Sequence, residues 1–209
     1  MKQRCRQPLL SLPRATPVSY THLLLKLCPN GKVQGIDYSA VSVEKTRKVN
    51  ARAIAAGRCT VQQASVEELP FKAEQFEVVT AFETVYFWPE LAQNFREVYR
   101  VLKPGGIFFI CNEANGETTK DDKWTQIIGG MTIYTDTALK GYLEKAGFCQ
   151  IQSHKNKRGW LCITAQKCGA IMSKKATEFQ RKAMSWMYPV SYTHLDVYKR
   201  QSRYNTLVM

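Results

Sequence analysis

An α/β fold with a mostly parallel sheet, helices on both faces and an antiparallel last strand is predicted for this 209-residue sequence. Three observations predict it. The first is the stretch 97–112, E-V-Y-R-V-L-K-P-G-G-I-F-F-I-C-N, where an amphipathic helix meets a Pro-Gly-Gly turn and then a short apolar run. The second is the pattern before it, in which apolar runs at 33–37, 59–63 and 76–82 alternate with helical or turn-rich segments. That order builds a sheet from crossover units. The third is a pair of runs at 149–154 and 160–166 around the N-K-R-G turn at 156–159, which reads as an antiparallel hairpin.

Leu24, Leu25 and Leu27 read as the last turn of a first helix, stopped by Pro29-Asn30-Gly31. Residues 33–37 are a strand, and Ser39 caps a helix to about Ala56, which Gly57 ends. Residues 59–63 form the next strand, 67–74 a turn-rich connection, and 76–82 a strand leading into a loop through Pro89. Leu91, Phe95, Val98, Val101 and Leu102 recur at helical spacing. Pro104 pushes Lys103 out of the α region, and Gly105-Gly106 allow a tight reversal. Residues 107–111 are then a strand buried on both faces. The polar segment 113–130 ends in Gly-Gly, and Thr135-Asp136-Thr137 starts a helix that stops at Gly147. Residues 171–187 have helical character, with Ile171, Phe179, Met184 and Met187 scattered along them.

The length suits one domain with one sizeable core. No apolar run approaches the roughly 18 residues of a membrane span, and the N-terminus lacks a secretory apolar core. Seven cysteines form no C-x-x-C pair, and no His stands at metal-ligand spacing, so no metal site is expected. A reduced, cytoplasmic chain with structural thiols is the expectation. The net charge of +13 invites a nucleic-acid reading, but residues 24–169 hold 19 basic against 15 acidic residues, a net of +4. The excess sits at the ends, so no nucleic-acid partner is expected.

The ends carry an identical heptad, P-V-S-Y-T-H-L, at 17–23 and again at 189–195. Solenoid repeats are longer and inexact, so this is not one. The second copy continues D-V-Y-K-R-Q, which resembles the translation of a sequencing adaptor. Both copies read as artificial junctions that should make few core contacts, the alternative being a duplicated binding peptide. The expected organisation is a non-native leader (1–23), an α/β domain (24–168), a helical tail of open origin (169–188) and a non-native tail (189–209).

Three stretches carry a family resemblance: V-L-K-P-G-G at 101–106, V-Q-G-I-D-Y-S at 33–39 and S-V-E-E-L-P-F at 65–71. In order and spacing they resemble class I S-adenosylmethionine-dependent methyltransferases, over about residues 24–167. The resemblance implies a Rossmann-like sheet, S-adenosylmethionine as cofactor, and methyl transfer to an acceptor. It also implies a first strand and a D-x-G-x-G-x-G loop ahead of the first helix, where backbone approaches the cofactor closely. No glycine occurs before Gly31, so the first strand is expected to be missing or replaced. Its place should be the middle of the sheet, between the strands at 33–37 and 76–82.

Methyl transfer from a sulfonium draws its reactivity from the cofactor, and the protein orients and desolvates. Candidate cofactor-binding residues are therefore Asp37, Tyr38, Ser65, Val66 and Phe82. Asp37, at the end of the second-motif strand, is placed by the resemblance on the ribose hydroxyls, against a plain helix-capping role. Tyr38 can flank adenine or simply pack. Ser65 and Val66 fall at the adenine edge, although the family often carries an acid at the position of Ser65. Glu83, Tyr86 and Trp88 are acceptor-side candidates; aromatic faces attract cations, but they also cover cores. No catalytic acid or base is assigned. His22 and His194 belong to the repeat, which leaves His154 at a strand end, a structural position.

With a core charge of only +4, a small-molecule acceptor is expected, and no membrane partner. One rival is a non-catalytic truncated fragment or binding module, since the glycine loop is lacking. Another is a short-chain nicotinamide dehydrogenase, because residues 99–103 spell Y-x-x-x-K; but Pro104-Gly105-Gly106 ends the helix which that pair needs.

Overall fold

Helix and strand follow one another much as hydrophobic spacing predicts: α1 (Tyr20–Leu27), β1 (Val33–Asp37), α2 (Ala40–Val49), α3 (Ala51–Ala55), β2 (Cys59–Gln63), β3 (Phe76–Phe82), α4 (Leu91–Val101), β4 (Leu102–Asn112), α5 (Thr119–Ile127), α6 (Asp136–Lys145), β5 (Phe148–Lys155), β6 (Leu161–Lys167), α7 (Lys174–Met187) and β7 (Thr206–Val208). The structure, a computed structural model, describes residues 20–157, 159–187 and 206–208. The strands form one sheet in the order β2-β1-β7-β3-β4-β6-β5. β1 pairs with β2 in parallel and β3 with β4 in parallel, while β5 and β6 form the antiparallel end.

β4 shows why its sequence is a continuous apolar run. Phe108 and Ile110 point into one cluster with Val79, Ala81 and Ile163, beneath Phe95 and Val98 of α4 and Leu139 and Leu143 of α6. Ile107 and Phe109 point into the other, with Phe82 and Cys162, beneath Leu24 of α1 and Phe179 of α7. Alternate residues thus face opposite layers, and both layers are covered by helices. Helix α7 is seated rather than loose: Ala176, Phe179 and Ala183 are buried, and the Phe179 ring meets Phe109 edge-on at 6.0 Å. Ile171, by contrast, is 95% exposed.

Several expectations need correction. The strand after α4 starts at Leu102, opposite Phe76, and the pairing then jumps to Val78 opposite Ile107. Residues 103–106 bulge out of the ladder there. A Cβ on Gly105 (φ +76°) would lie 2.6 Å from the Ile171 carbonyl oxygen, and one on Gly106 2.9 Å from that of Lys103, so both positions require glycine. The single helix expected from Ser39 to about Ala56 is broken at buried Asn50, whose amide donates to the Thr46 carbonyl (2.9 Å). Ser39 does cap it, accepting from Ser42 N–H at 3.4 Å. The polar segment 113–130 contains helix α5.

The described part of the first heptad copy, residues 20–23, also departs from the few core contacts expected of it. Tyr20 and Thr21 are buried, and the Tyr20 ring stacks on Phe82 at 4.4 Å with 5° between planes. The second copy lies outside the described residues. The thiols are not all free either: Cys149 and Cys168 form a disulfide, because residues 148 and 167 are paired at the β5–β6 hairpin's open end and the Cα atoms lie 5.8 Å apart. The gap expected between β1 and β3 is filled by β7, a three-residue strand antiparallel to both neighbours.

Candidate functional site at the carboxyl edge of the sheet

Because β7 runs antiparallel to both β1 and β3, those two strands run the same way and end at the same edge. Asp37, Gln63 and Phe82 are the last residues of β1, β2 and β3. The candidates Asp37, Ser65 and Phe82 therefore share one edge, the position where open α/β sheets bind ligands. A cavity of about 680 Å³ opens there, within the size range of small-molecule sites. One wall is Ile36, Tyr38, Ala64, Ser65, Val66 and Glu67; the other is Phe87, Trp88, Pro89 and residues 127–130.

Tyr38, Ser65, Val66 and Trp88 line this cavity, and Asp37, Phe82, Glu83 and Tyr86 do not. Asp37 is 1% exposed, and its Oδ1 accepts the Ser39 N–H at 2.8 Å, holding the turn that launches α2. Ser65 Oγ donates to Glu67 Oε2 (3.0 Å) and accepts from Glu67 N–H (3.2 Å), a local turn that presents Val66 and the serine at the rim. The loop behind them is pinned by Arg100, which donates to the carbonyls of Leu69 (3.0 Å) and Phe71 (2.8 Å) while paired with Glu97. Phe82 faces the α1/α7 layer under Tyr20.

Glu83 leaves β3 in the left-handed region (φ +57°), where a non-glycine residue is strained. Its amide donates to the Cys111 carbonyl (2.9 Å), and its Oε1 accepts the Glu113 N–H (2.7 Å). Burial and then the Glu113 carboxylate push its carboxyl well above the usual range, against the pull of the Glu113 amide and the Tyr86 hydroxyl. The Tyr86 hydroxyl donates to the Ala114 carbonyl (3.0 Å) and accepts the Ala114 N–H (2.8 Å). Glu83 and Tyr86 thus knit the end of β3 to the segment after β4. Trp88 stacks against Phe108 (6.1 Å, 11°), which fixes the floor of the cavity.

Sequence reasoning missed Ile36, Ala64, Glu67, Phe87 and Pro89, whereas residues 127–130 fall in the polar segment 113–130, which the family resemblance gives as a variable lid over the acceptor. Among the described residues no group of three or more His, Cys, Asp or Glu side chains is placed to hold a metal ion, and no helix is long and apolar enough to cross a membrane.

Residues 16–110 match a family model described as a methyltransferase domain. The ubiquinone/menaquinone biosynthesis C-methyltransferase UbiE of Geotalea daltonii is 36% identical over 35% of this chain and 32% of its own. The demethylmenaquinone methyltransferase of Symbiobacterium thermophilum is 36% identical over 43% of this chain and 36% of its own. The chain spans about a third of the length of these curated relatives. Among solved structures, a chain of the complex between the Haloferax volcanii Trm112 methyltransferase activator and a methyltransferase aligns with a TM-score of 0.64 at 18% identity, covering 71% of this chain and 78% of that one.

Proposed function

We propose, on the premise that this chain carries a class I S-adenosylmethionine-dependent methyltransferase domain, that it transfers a methyl group to a small-molecule acceptor at the cavity beyond β1 and β2. The observation that carries this reading is the position of that cavity at the carboxyl edge, with Tyr38, Ser65 and Val66 on one wall. These residues fit an adenosine: an aromatic face, a hydroxyl able to bond an exocyclic amine, and an apolar contact. Asp37 stands one residue behind Tyr38 as a buried carboxylate that already accepts an amide N–H, which suits it to ribose hydroxyls. When bound, S-adenosylmethionine supplies a sulfonium-activated methyl group. The chain's own residues bind, orient and exclude water. Trp88, Phe87 and residues 127–130 close the acceptor side. The relatives are named for ubiquinone and menaquinone biosynthesis, which supports a small-molecule acceptor. The lining contains no Lys or Arg, which supports the reading of no nucleic-acid partner.

One observation favours a second reading, a fold that holds the cofactor poorly. The Tyr20 ring lies flat on Phe82 at the end of β3, where the resemblance places cofactor. For the dehydrogenase reading, Tyr99 lies on α4 against Phe148 (5.1 Å) whereas Lys103 lies in β4 and pairs with Glu77 (2.8 Å), so the two do not share a helix.

Calorimetric titration of the whole chain with S-adenosylmethionine separates the readings. Measurable binding that weakens at least tenfold in Asp37→Asn, with the melting temperature little changed, is expected from the loss of charge-assisted bonds to ribose. Equal binding by both proteins overturns the ribose assignment, and no binding by either supports the second reading.

A further inference from the structure

The two helical layers that cover the sheet differ in charge. Strand register shows which helices share a layer. Val33 and Gly35 of β1 stand opposite Cys59 and Val61 of β2, and a Cβ on Gly35 would lie 3.5 Å from Thr21 of α1. Cys59 and Val61 pack with Val43 of α2 and Ile54 of α3. Leu25 of α1 touches that cluster and also the one that holds Phe179 of α7. Helices α2, α3, α1 and α7 therefore lie side by side over one face, while α4 and α6 cover the other, where Ile36 points. The first four helices carry nine basic residues against two acidic ones. The pair on the other face carries four against three.

Helical spacing turns most of these cations outward. On α2, Ser42, Val43 and Thr46 are buried, so Val41, Lys45 and Lys48 fall on the exposed side, with Arg52 one turn further on α3. On α7, Ala176, Phe179 and Ala183 face the sheet, and Lys174 and Arg181, seven residues apart, face solvent. Glu44 offsets one charge by pairing with Lys48 at 3.5 Å. Large apolar side chains stand among the cations. Of the five large apolar residues described as exposed, Val41 (54%) and Val49 (59%) lie on α2, and Ile171 leads into α7. A helical face that mixes Lys and Arg with exposed aliphatic side chains suits the boundary between lipid headgroups and acyl chains.

We infer that the layer formed by α2, α3, α1 and α7 docks on an anionic phospholipid bilayer, with its cations at the headgroups and its exposed valines pressed into the interface. The inference does not rest on the proposed function. The absence of an apolar run of spanning length, from which no membrane partner is expected, does not bear on docking at the surface. RNA would meet the same charge, but Val41 and Val49 gain nothing from a phosphate backbone. Among the described side chains of these helices no aromatic ring is exposed to stack on a base. A bilayer uses both the charge and the valines.

The test is cosedimentation of the full chain with vesicles of phosphatidylcholine, alone or with about one-third phosphatidylserine. Binding to the anionic vesicles is expected, with little to the neutral ones, and it should fall at least about tenfold between about 0.05 and 0.5 M salt. A basic residue near such a surface contributes about fivefold, so the double variant Lys48→Ala, Arg52→Ala is expected to weaken binding at least about tenfold. Arg96→Ala with Lys145→Ala removes the same charge from exposed positions on α4 and α6 and is expected to stay within about twofold of the parent. Val41→Ser with Val49→Ser keeps every charge and is expected to weaken vesicle binding about fivefold. Melting curves by circular dichroism confirm that each variant folds. A labelled single-stranded RNA is titrated in the same buffers. Equal binding to neutral and anionic vesicles, equal loss from the two charge variants, or indifference to the valine variant overturns the inference. So does RNA bound more tightly than the anionic vesicles.

Discussion

At the scale of single residues, Glu83 concentrates the tension of the site. It combines a left-handed backbone, a buried carboxyl and a like-charged neighbour, Glu113. Its proton is held more tightly in the folded chain than in the unfolded one. Between the ordinary carboxylate value and the raised folded value, the native state therefore keeps a proton that the unfolded state has lost, and stability falls as pH rises through that window. Glu83→Gln keeps an oxygen for the Glu113 amide and removes the titration. The variant is expected to gain melting temperature relative to the parent as pH rises from about 4 toward neutrality, with the gap smallest at the acid end. A gap that does not change with pH would show that the carboxyl is not titrating in a buried setting. Asp37 offers the contrast: equally buried, it has a main-chain donor on its oxygen and a turn to hold. Sequence alone could place both acids at strand ends. It could not show that neither lines the cavity, because that depends on the left-handed turn at Glu83 and on the Asx-type turn at Asp37.

At the scale of elements, most of the fold was legible. The stripe Leu91, Phe95, Val98 is buried on α4, Ser39 and Thr135 cap α2 and α6, and the 33–37 and 76–82 runs are β1 and β3 with those bounds. What stayed hidden were features set by tertiary neighbours: the bulge at 103–106 against residues 170–171, the break at Asn50, and α5 within a polar segment. Arg58 is of the same kind. It looks like one more basic residue, yet it crosses to the end of α1 and donates to the carbonyls of Leu25 (3.2 Å), Cys28 (3.0 Å) and Gly31 (3.4 Å). A cation there satisfies orphan carbonyls and meets the negative end of the helix dipole. Arg58→Ala is expected to cost about 2–3 kcal/mol in denaturant unfolding, since hydrogen bonds to charged groups contribute about 1.5–3 kcal/mol and the three are not additive. Arg58→Lys should recover only part of that, because one ammonium cannot reach three separated carbonyls with a planar fork. Full recovery by lysine would mean that charge alone matters.

At the scale of the whole molecule, the sheet consists of two parallel pairs, β1–β2 and β3–β4, and β7 is what joins them. Gly35, Ile36 and Asp37 pair with β7 on one side, and Thr80 and Ala81 on the other. No ladder runs directly between β1 and β3 among the described residues. The helical layers also span the joint: α1 and α7 share a cluster with Val33 of β1, Phe82 of β3 and Phe109 of β4. The question is how much of the coupling lies in the three-residue strand and how much in those helices. Each ladder hydrogen bond contributes about 0.5–1.5 kcal/mol net, and stripping a central strand leaves donors and acceptors of both neighbours without partners. Removing residues 206–209 should therefore cost several kcal/mol out of a domain stability of about 5–15 kcal/mol. Leu207→Pro, which deletes one donor opposite Ile36 and Ala81 and adds a ring to a central strand, should cost part of it. The measurement is the urea midpoint of the full chain, the deletion and the proline variant, followed by both far-ultraviolet circular dichroism and tryptophan fluorescence. A large loss in the deletion, with the two probes no longer coincident, would mean that the two halves of the sheet come apart once β7 is gone. An unchanged midpoint would mean that α1 and α7 alone hold the halves in register, and that β7 contributes nothing to the site they frame.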